Sequence, residues 1–407
     1  MTVEEPESTV MPIRQKKPKQ QLTRGMEHMR SYVTIDTPET ATHASSTPTQ
    51  EAGQDAYGVP ATFEPVRKPA TDSASNNQKR SDPFQFGTRY LEAGDDIFAH
   101  NAWDHVEVDA AYTEFIASQT EYQRENQVTD FDKRRFNEKP EKWWDKFYSN
   151  NAANFFKDRK WLVQEFPILG EVTREGHGEC RVLEVGAGAG NTAFPVLKMN
   201  ANKELRVHAC DYSKKAVEII RAQEAYKDQE GEGQVLRADV WDVASEELPA
   251  GVEERSVDVV LMIFIFSALA PEQWDRAVQN IWRVLKPGGE VLFRDYGRGD
   301  LAQVRFKKGR YLDENFYVRG DGTRVYFFEE SELRDIWSQK VDAKPGFTIE
   351  NLAVDRRMLV NRQRKLKMYR CWMQGKFRKP TGTAEEHHHA QDSTTETGQT
   401  IEGSPSA

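Results

Sequence analysis

From residue 181 onward the chain alternates between short apolar runs and amphipathic stretches of helical period. The runs 181–185, 206–210, 234–238, 257–265 and 290–295 are rich in Val, Leu and Ile, as strands covered on both faces are. Between them, 193–199, 214–225, 271–285 and 329–340 space their apolar residues three and four apart, which predicts helices on both sides of a sheet. Two more runs, 347–355 and 365–372, are too close together for a helical crossover and predict an antiparallel hairpin at one edge. The pattern as a whole predicts an α/β, Rossmann-like fold of seven strands, mostly parallel, with an antiparallel edge hairpin. Upstream, 109–130 reads as a polar helix. The segment from Asp82 to Asp104 carries aromatics without helical period and reads as an extended strap on a folded surface.

Composition sets the limits of this fold. Residues 1–81 and 381–407 are rich in Pro, Ser, Thr, Gln and charge, and neither segment holds enough apolar residues to offset the entropy of ordering it. Both are expected to be disordered. That leaves a cap rich in aromatic and basic residues at 82–176 and a main domain at 177–380. The net charge of −9 resides in the flanks, because residues 131–380 hold 44 Lys and Arg against 39 Asp and Glu. The folded part is mildly basic, which is compatible with an anionic partner. The cluster 14–30 carries six basic residues and one acid and reads as a solvated tail, with a weak nuclear or RNA-binding arm as the alternative. Cys180, Cys210 and Cys371 form no CxxC pair, so a reducing compartment without disulfides is expected, cytoplasmic with a nuclear pool allowed. No run approaches the ~18 apolar residues of a membrane span. His387-His388-His389 lies in the polar tail, and no metal site is expected.

The chemistry centres on Val182-Leu183-Glu184-Val185-Gly186-Ala187-Gly188-Ala189-Gly190-Asn191, an apolar run that ends in alternating glycines ahead of a helix. Such a turn lets a ligand approach the backbone and meet free N–H groups. Open α/β sheets bind ligands at the carboxyl ends of their strands. Three more strand ends therefore matter. Asp211, 25 residues beyond Gly186, is placed to accept ribose hydroxyls. Asp239 and Val240 follow the third strand and suit an adenine ring, and Ile263 forms an apolar wall near the end of the fourth. A dinucleotide fingerprint needs Gly or Ala at the sixth position of GxGxxG, where this chain has Asn191. With the Pro287-Gly288-Gly289 turn before the fifth strand, the spacing fits a class I S-adenosylmethionine-dependent methyltransferase better than a dehydrogenase. A methyltransferase acting on a small molecule or protein, or a non-catalytic binding subunit that keeps a degenerate cofactor pocket, would share these features.

Substrate signals flank the glycine turn. Trp143-Trp144-Asp145-Lys146-Phe147-Tyr148 and Phe155-Phe156-Lys157-Asp158-Arg159 mix aromatics with cations. Residues 294–310 include Arg298, Arg305, Lys307 and Lys308. Residues 356–379 hold ten Lys and Arg, among them Arg364, Lys367 and Arg370, with no acid. Unopposed cations interleaved with aromatics predict contact with phosphates.

These motifs resemble the tRNA 3-methylcytidine methyltransferases, in particular the longer cytosolic type that acts on threonine and some arginine tRNAs. The resemblance is carried by Phe86-Gly87, His100-Asn101-Ala102-Trp103-Asp104, Trp144 to Tyr148, Asn154 to Arg159, Leu183 to Thr192, Cys210-Asp211-Tyr212-Ser213 and Arg294-Asp295-Tyr296-Gly297. It continues through Arg305-Phe306-Lys307-Lys308 and the run from Asn315 to Tyr326 that contains Arg319-Gly320-Asp321-Gly322-Thr323-Arg324. One departure is Ala187, where many relatives are expected to carry Cys. The resemblance implies methylation of ring nitrogen 3 of cytidine 32 in the anticodon loop. It also implies that Trp144 and Tyr148 join Gly186, Gly188, Asp211, Asp239, Val240 and Ile263 around S-adenosylmethionine. Some relatives need a partner such as an aminoacyl-tRNA synthetase. Asp295, at the end of the fifth strand, is the carboxylate expected to stabilise positive charge on the methylated ring. The competing expectation is an ion pair of Asp295 with Arg294 or Arg298.

Overall fold

The central strand Val257–Ile263 shows why this sequence makes this fold. Its seven residues are almost all apolar because both faces are covered. Val257, Val260 and Met262 join one core, while Val259, Leu261 and Ile263 join another on the opposite face. The computed structural model describes residues 90–381, except 92–94, 154, 160, 230, 232, 342–343 and 364–365. The predicted disordered segments, the N-terminal basic cluster, Phe86-Gly87 and His387-His388-His389 lie outside the described residues.

In chain order the strands are β1 (Ala102–Asp104), β2 (Cys180–Val185), β3 (Leu205–Asp211), β4 (Leu236–Val240), β5 (Val257–Ile263), β6 (Leu285–Tyr296), β7 (Tyr311–Asp313), β8 (Phe316–Val318), β9 (Arg324–Tyr326), β10 (Thr348–Asn361) and β11 (Leu366–Arg378). The main sheet runs β1-β10-β11-β6-β5-β2-β3-β4. Pairing is parallel from β6 through β5, β2 and β3 to β4, and antiparallel from β6 outward through β11 and β10 to β1. The seven predicted strands and the edge hairpin are present, with one correction: the sheet has eight strands. The eighth, β1, has only three residues, too short for an alternation to show. It is held by Trp103, which is buried opposite Met358 and donates its indole N–H to the Ile97 carbonyl at 2.8 Å.

The helix Ala110–Glu125 also ties the N-terminal segment to the main domain. The Asp109 carboxylate caps it by accepting from the Tyr112 amide. Its buried face carries Tyr112, Phe115 and Gln123, and the Gln123 amide donates to the carbonyls of Gln303 and Phe306. Between β6 and the helix Glu330–Ser338 the chain inserts a small antiparallel sheet, β7-β8-β9. This insertion forms one side of the ligand cavity.

Candidate active site

A cavity of about 400 Å³ opens at the carboxyl ends of the parallel strands. Its floor is the glycine turn after β2. Gly186 and Gly188 sit at φ +67° and +59°, a region in which side chains are strained. Space forbids side chains there as well. A Cβ on Gly186 would lie 2.6 Å from Ile265, and one on Gly188 would lie 2.5 Å from the Tyr148 hydroxyl. The turn is pinned by Asp211 at the end of β3, whose carboxylate accepts from the Gly188 amide at 2.8 Å and the Ser213 amide at 2.8 Å. Burial pushes this carboxyl up to about 6, against the pull of those two amides. Each oxygen retains a lone pair for a further donor.

Trp144 and Tyr148, one turn apart on the helix Pro140–Asn151, form a stacked aromatic wall over the floor. Arg159 enters beside them, donating to the Thr192 hydroxyl and lying 3.6 Å from Glu184. Burial lowers the pKa of Arg159 and raises that of Glu184 to about 7. Trp241, Asp242 and Val243 line the next side, and Ile263 to Ile265 with Ser267 to Leu269 close it after β5. The far side is built by Tyr296, Arg319, Asp321, Thr323 and Arg324. Phe264 adopts φ +59°, and its ring lies 5.0 Å from that of Tyr296.

Of the expected cofactor residues, Trp144, Tyr148, Gly186, Gly188, Asp211 and Ile263 meet at this cavity. Asp239 and Val240 do not. The predicted third strand stopped at Ala238, whereas β4 runs on through Val240, so the loop facing the ligand begins at Trp241. Asp239 instead accepts from Arg221 and contacts His208 at 2.8 Å, and Val240 is 46% exposed on the outer edge. Asp295 is displaced for the same reason. β6 continues through Tyr296, so Tyr296 reaches the cavity while Asp295 turns inward at 0% exposure. There it accepts from the Ser267 and Tyr296 amides, and burial raises its carboxyl to about 6. The competing ion pair is not formed either: Arg294 bonds Asp355, and Arg298 bonds Glu329.

The expected tRNA residues fall in three places. Lys157 lines the cavity mouth, and Arg305, Lys307 and Lys308 are exposed, with no carboxylate partner among the described residues. Arg159 belongs inside the cavity, as described. The basic C-terminal run is corrected in part: Arg356 and Arg362 are exposed with no carboxylate partner among the described residues, but Arg357, Lys367, Arg370, Lys376 and Arg378 are opposed by acids. Arg370 bonds Asp300 at 2.8 Å, Lys367 bonds Asp109 at 3.3 Å, and Lys376 bonds Glu290 at 2.9 Å. Arg378 bonds Glu350 at 2.5 Å. Arg364 lies outside the described residues. Residues the sequence did not single out for the cavity are Trp241, Asp242, Phe264, Arg319 and Arg324. For the two arginines the signal was present: they bracket the run Arg319-Gly320-Asp321-Gly322-Thr323-Arg324, which carried the resemblance without a role.

The glycine floor, the buried Asp211 and the apolar sides formed by Ile263 and Trp241 suit S-adenosylmethionine. Asp211 would take the ribose hydroxyls, and the loops after β4 and β5 would take the adenine. Among the described residues no helix is long and apolar enough to cross a membrane.

A family model described as "Methyltransferase domain" matches residues 183–291. The chain is 50% identical over 313 residues to the "tRNA(Thr) (cytosine(32)-N(3))-methyltransferase" of Saccharomyces cerevisiae, covering 76% of this chain and 48% of that protein. It thus spans about half the length of that relative. It is 46% identical to the "tRNA N(3)-methylcytidine methyltransferase trm140" of Schizosaccharomyces pombe, covering 72% of this chain and 92% of that protein. It is 40% identical to the "tRNA N(3)-cytidine methyltransferase METTL2" of Danio rerio, covering 76% and 92% of the two chains. With this identity spread over most of the length of the last two, the chain belongs to the family of S-adenosylmethionine-dependent tRNA N(3)-methylcytidine methyltransferases.

Proposed function

We propose that this protein methylates ring nitrogen 3 of cytidine 32 in threonine tRNA, and in arginine tRNA where the same loop is presented. The observation that carries this reading is the cavity itself. One wall is a glycine floor with a buried carboxylate, and the facing wall presents the rings of Phe264 and Tyr296 and the Arg319 guanidinium, chemistry that suits a base. A base in an anticodon loop is poorly stacked, so turning it into such a cavity costs little.

Bound S-adenosylmethionine supplies an electrophilic methyl group on a sulfonium. Ring nitrogen 3 of neutral cytosine already holds a free lone pair, so no side chain has to remove a proton first. The residues act by alignment and by their field. Asp295 fixes the Ser267 amide and the start of the Tyr296 backbone, which sets the acceptor wall. It is a positioning residue, and above about pH 6 its charge also favours the cation that develops on the ring. Phe155, 57% exposed at the mouth beside Phe156, offers a stacking surface to a neighbouring base. The exposed cations Lys157, Arg305, Lys307 and Lys308 hold the backbone. A synthetase partner would act by presenting the loop.

The test is to incubate the protein with methyl-labelled cofactor and total tRNA, then digest to nucleosides. Label in 3-methylcytidine supports the reading, and gain of activity on adding threonyl-tRNA synthetase would support the partner. Cofactor binding without RNA labelling, with or without that synthetase, would overturn it in favour of a small-molecule or protein substrate.

A further inference from the structure

Three arginines line the cavity, and the protein itself occupies two of them. Arg159 is paired with Glu184 and bonded to Thr192. Arg324, only 4% exposed, is held at both terminal nitrogens by the Asn137 and Gln273 side chains and the Ala268 carbonyl, its Nε being buried without an acceptor. Arg319 differs. Among the described residues it has no carboxylate within 4 Å, and the one acceptor it meets is the Arg324 carbonyl at 3.3 Å. Its guanidinium lies over the Tyr296 ring, 5.6 Å from the ring centre, and on the cavity wall that ring packs against Phe264 at 5.0 Å.

The turn that carries Arg319 is held firmly. The Asp321 carboxylate accepts from both the amide and the hydroxyl of Thr323. Gly322, at φ +91°, packs so closely on Trp143 that a Cβ would collide with the indole. Phe264 holds a strained backbone conformation, which a fold retains where the direction of a side chain matters. A rigid turn therefore brings a cation with spare donors to the cavity beside an aromatic pair.

We infer that Arg319 reads the carbonyl oxygen at position 2 of the acceptor base and so selects cytidine over adenosine. This rests on the proposed methylation of a cytidine. The chemistry of the two bases leaves few other means of discrimination. Ring nitrogen 3 of cytosine lies between a carbonyl oxygen and an exocyclic amine. Ring nitrogen 1 of adenine, equally nucleophilic in kind, lies between a C–H and an exocyclic amine. The carbonyl oxygen is the one hydrogen-bonding group beside the target nitrogen that differs, and it needs a donor. Uracil excludes itself, because its nitrogen 3 bears a proton. A guanidinium at this oxygen also disfavours the cation formed on the ring, so Arg319 contributes orientation and selectivity rather than charge stabilisation.

The experiment compares wild type with Arg319→Ala and Arg319→Lys on threonine tRNA carrying cytidine, adenosine or 2-thiocytidine at position 32. Cofactor affinity is measured by calorimetry alongside. Expected for Arg319→Ala is a loss of about 10- to 100-fold in kcat/KM on cytidine, the size of a lost charge-assisted hydrogen bond. Cofactor affinity is expected to stay unchanged, and the cytidine-to-adenosine preference to fall by the same factor. Sulfur is a poor acceptor, so 2-thiocytidine should cost wild type a comparable factor and cost Arg319→Ala almost nothing. Arg319→Lys should keep part of the preference. Equal penalties for 2-thiocytidine in wild type and Arg319→Ala, or an unaltered preference in Arg319→Ala, would overturn the inference. If wild type forms no 3-methylcytidine at all, the proposed function fails instead, and the two failures are distinguishable.

Discussion

The two walls of the cavity are made in different ways. The floor is backbone: positive-φ glycines at 186 and 188, an amide bonded to Asp211, and strands that end where the ligand begins. The facing wall is side chains brought together from the ends of β5 and β6 and from the turn between β8 and β9, which belongs to an insertion in the sheet. The floor is what any enzyme using this cofactor on this fold requires. The facing wall is the part proposed to meet the acceptor. The two should therefore be separable by mutation.

The largest separation is expected from Asp211→Ala. Two backbone amides lose their acceptor, as the ribose would, and affinity for S-adenosylmethionine should fall about 100-fold. Affinity for tRNA alone should hold, as filter binding would show. An unchanged cofactor affinity would place the ribose elsewhere. Arg319→Ala is the mirror image, with cofactor affinity intact and the 10- to 100-fold loss confined to the acceptor.

A smaller effect tests the two basic regions against each other. Neutralising Arg305, Lys307 and Lys308 together should weaken tRNA binding about tenfold and lower the salt slope by up to about three. Arg370→Ala should leave that slope alone. It strips the partner from Asp300, which is fully buried, and should cost about 3 kcal/mol of stability in a thermal melt. A change of slope in Arg370→Ala without loss of stability would return β11 to the RNA-binding surface.

The smallest effect concerns pH. The Asp211 carboxyl titrates near 6 in the free protein, well above its ordinary 3.8. If its ionised form accepts the ribose hydroxyls, cofactor affinity should decline several-fold as pH falls through 6. Folding runs the other way. A raised carboxyl pKa means that the folded state disfavours the charge, so this group's penalty is complete above pH 6 and is relieved as pH falls toward 4. Calorimetric titration from pH 5 to 8 checks the first, and a melt series checks the second.

The same division explains what the sequence revealed. Strand order, edge hairpin and glycine floor follow from local rules, because glycine spacing and both-face apolar runs are properties of neighbouring residues. Asp239 and Asp295 were misplaced by small errors at strand ends. In a strand one residue reverses the side chain's face, so the ends of β4 and β6 decided which residue met the ligand. The C-terminal cations misled for another reason. Their partners Asp109, Glu290, Asp300 and Glu350 lie 28 to 258 residues away in the chain, and a local charge count cannot include them. Arg319 was visible only as part of a motif, since its role depends on where the insertion folds.

The most direct test of the central claim is methyl transfer to threonine tRNA transcripts that differ only at position 32. With cytidine there, one labelled methyl per tRNA is expected, recovered as 3-methylcytidine and mapped to that position. With uridine there, no label is expected. Equal labelling of both transcripts, or label in any other nucleoside, would contradict the assignment of the acceptor wall to cytidine 32.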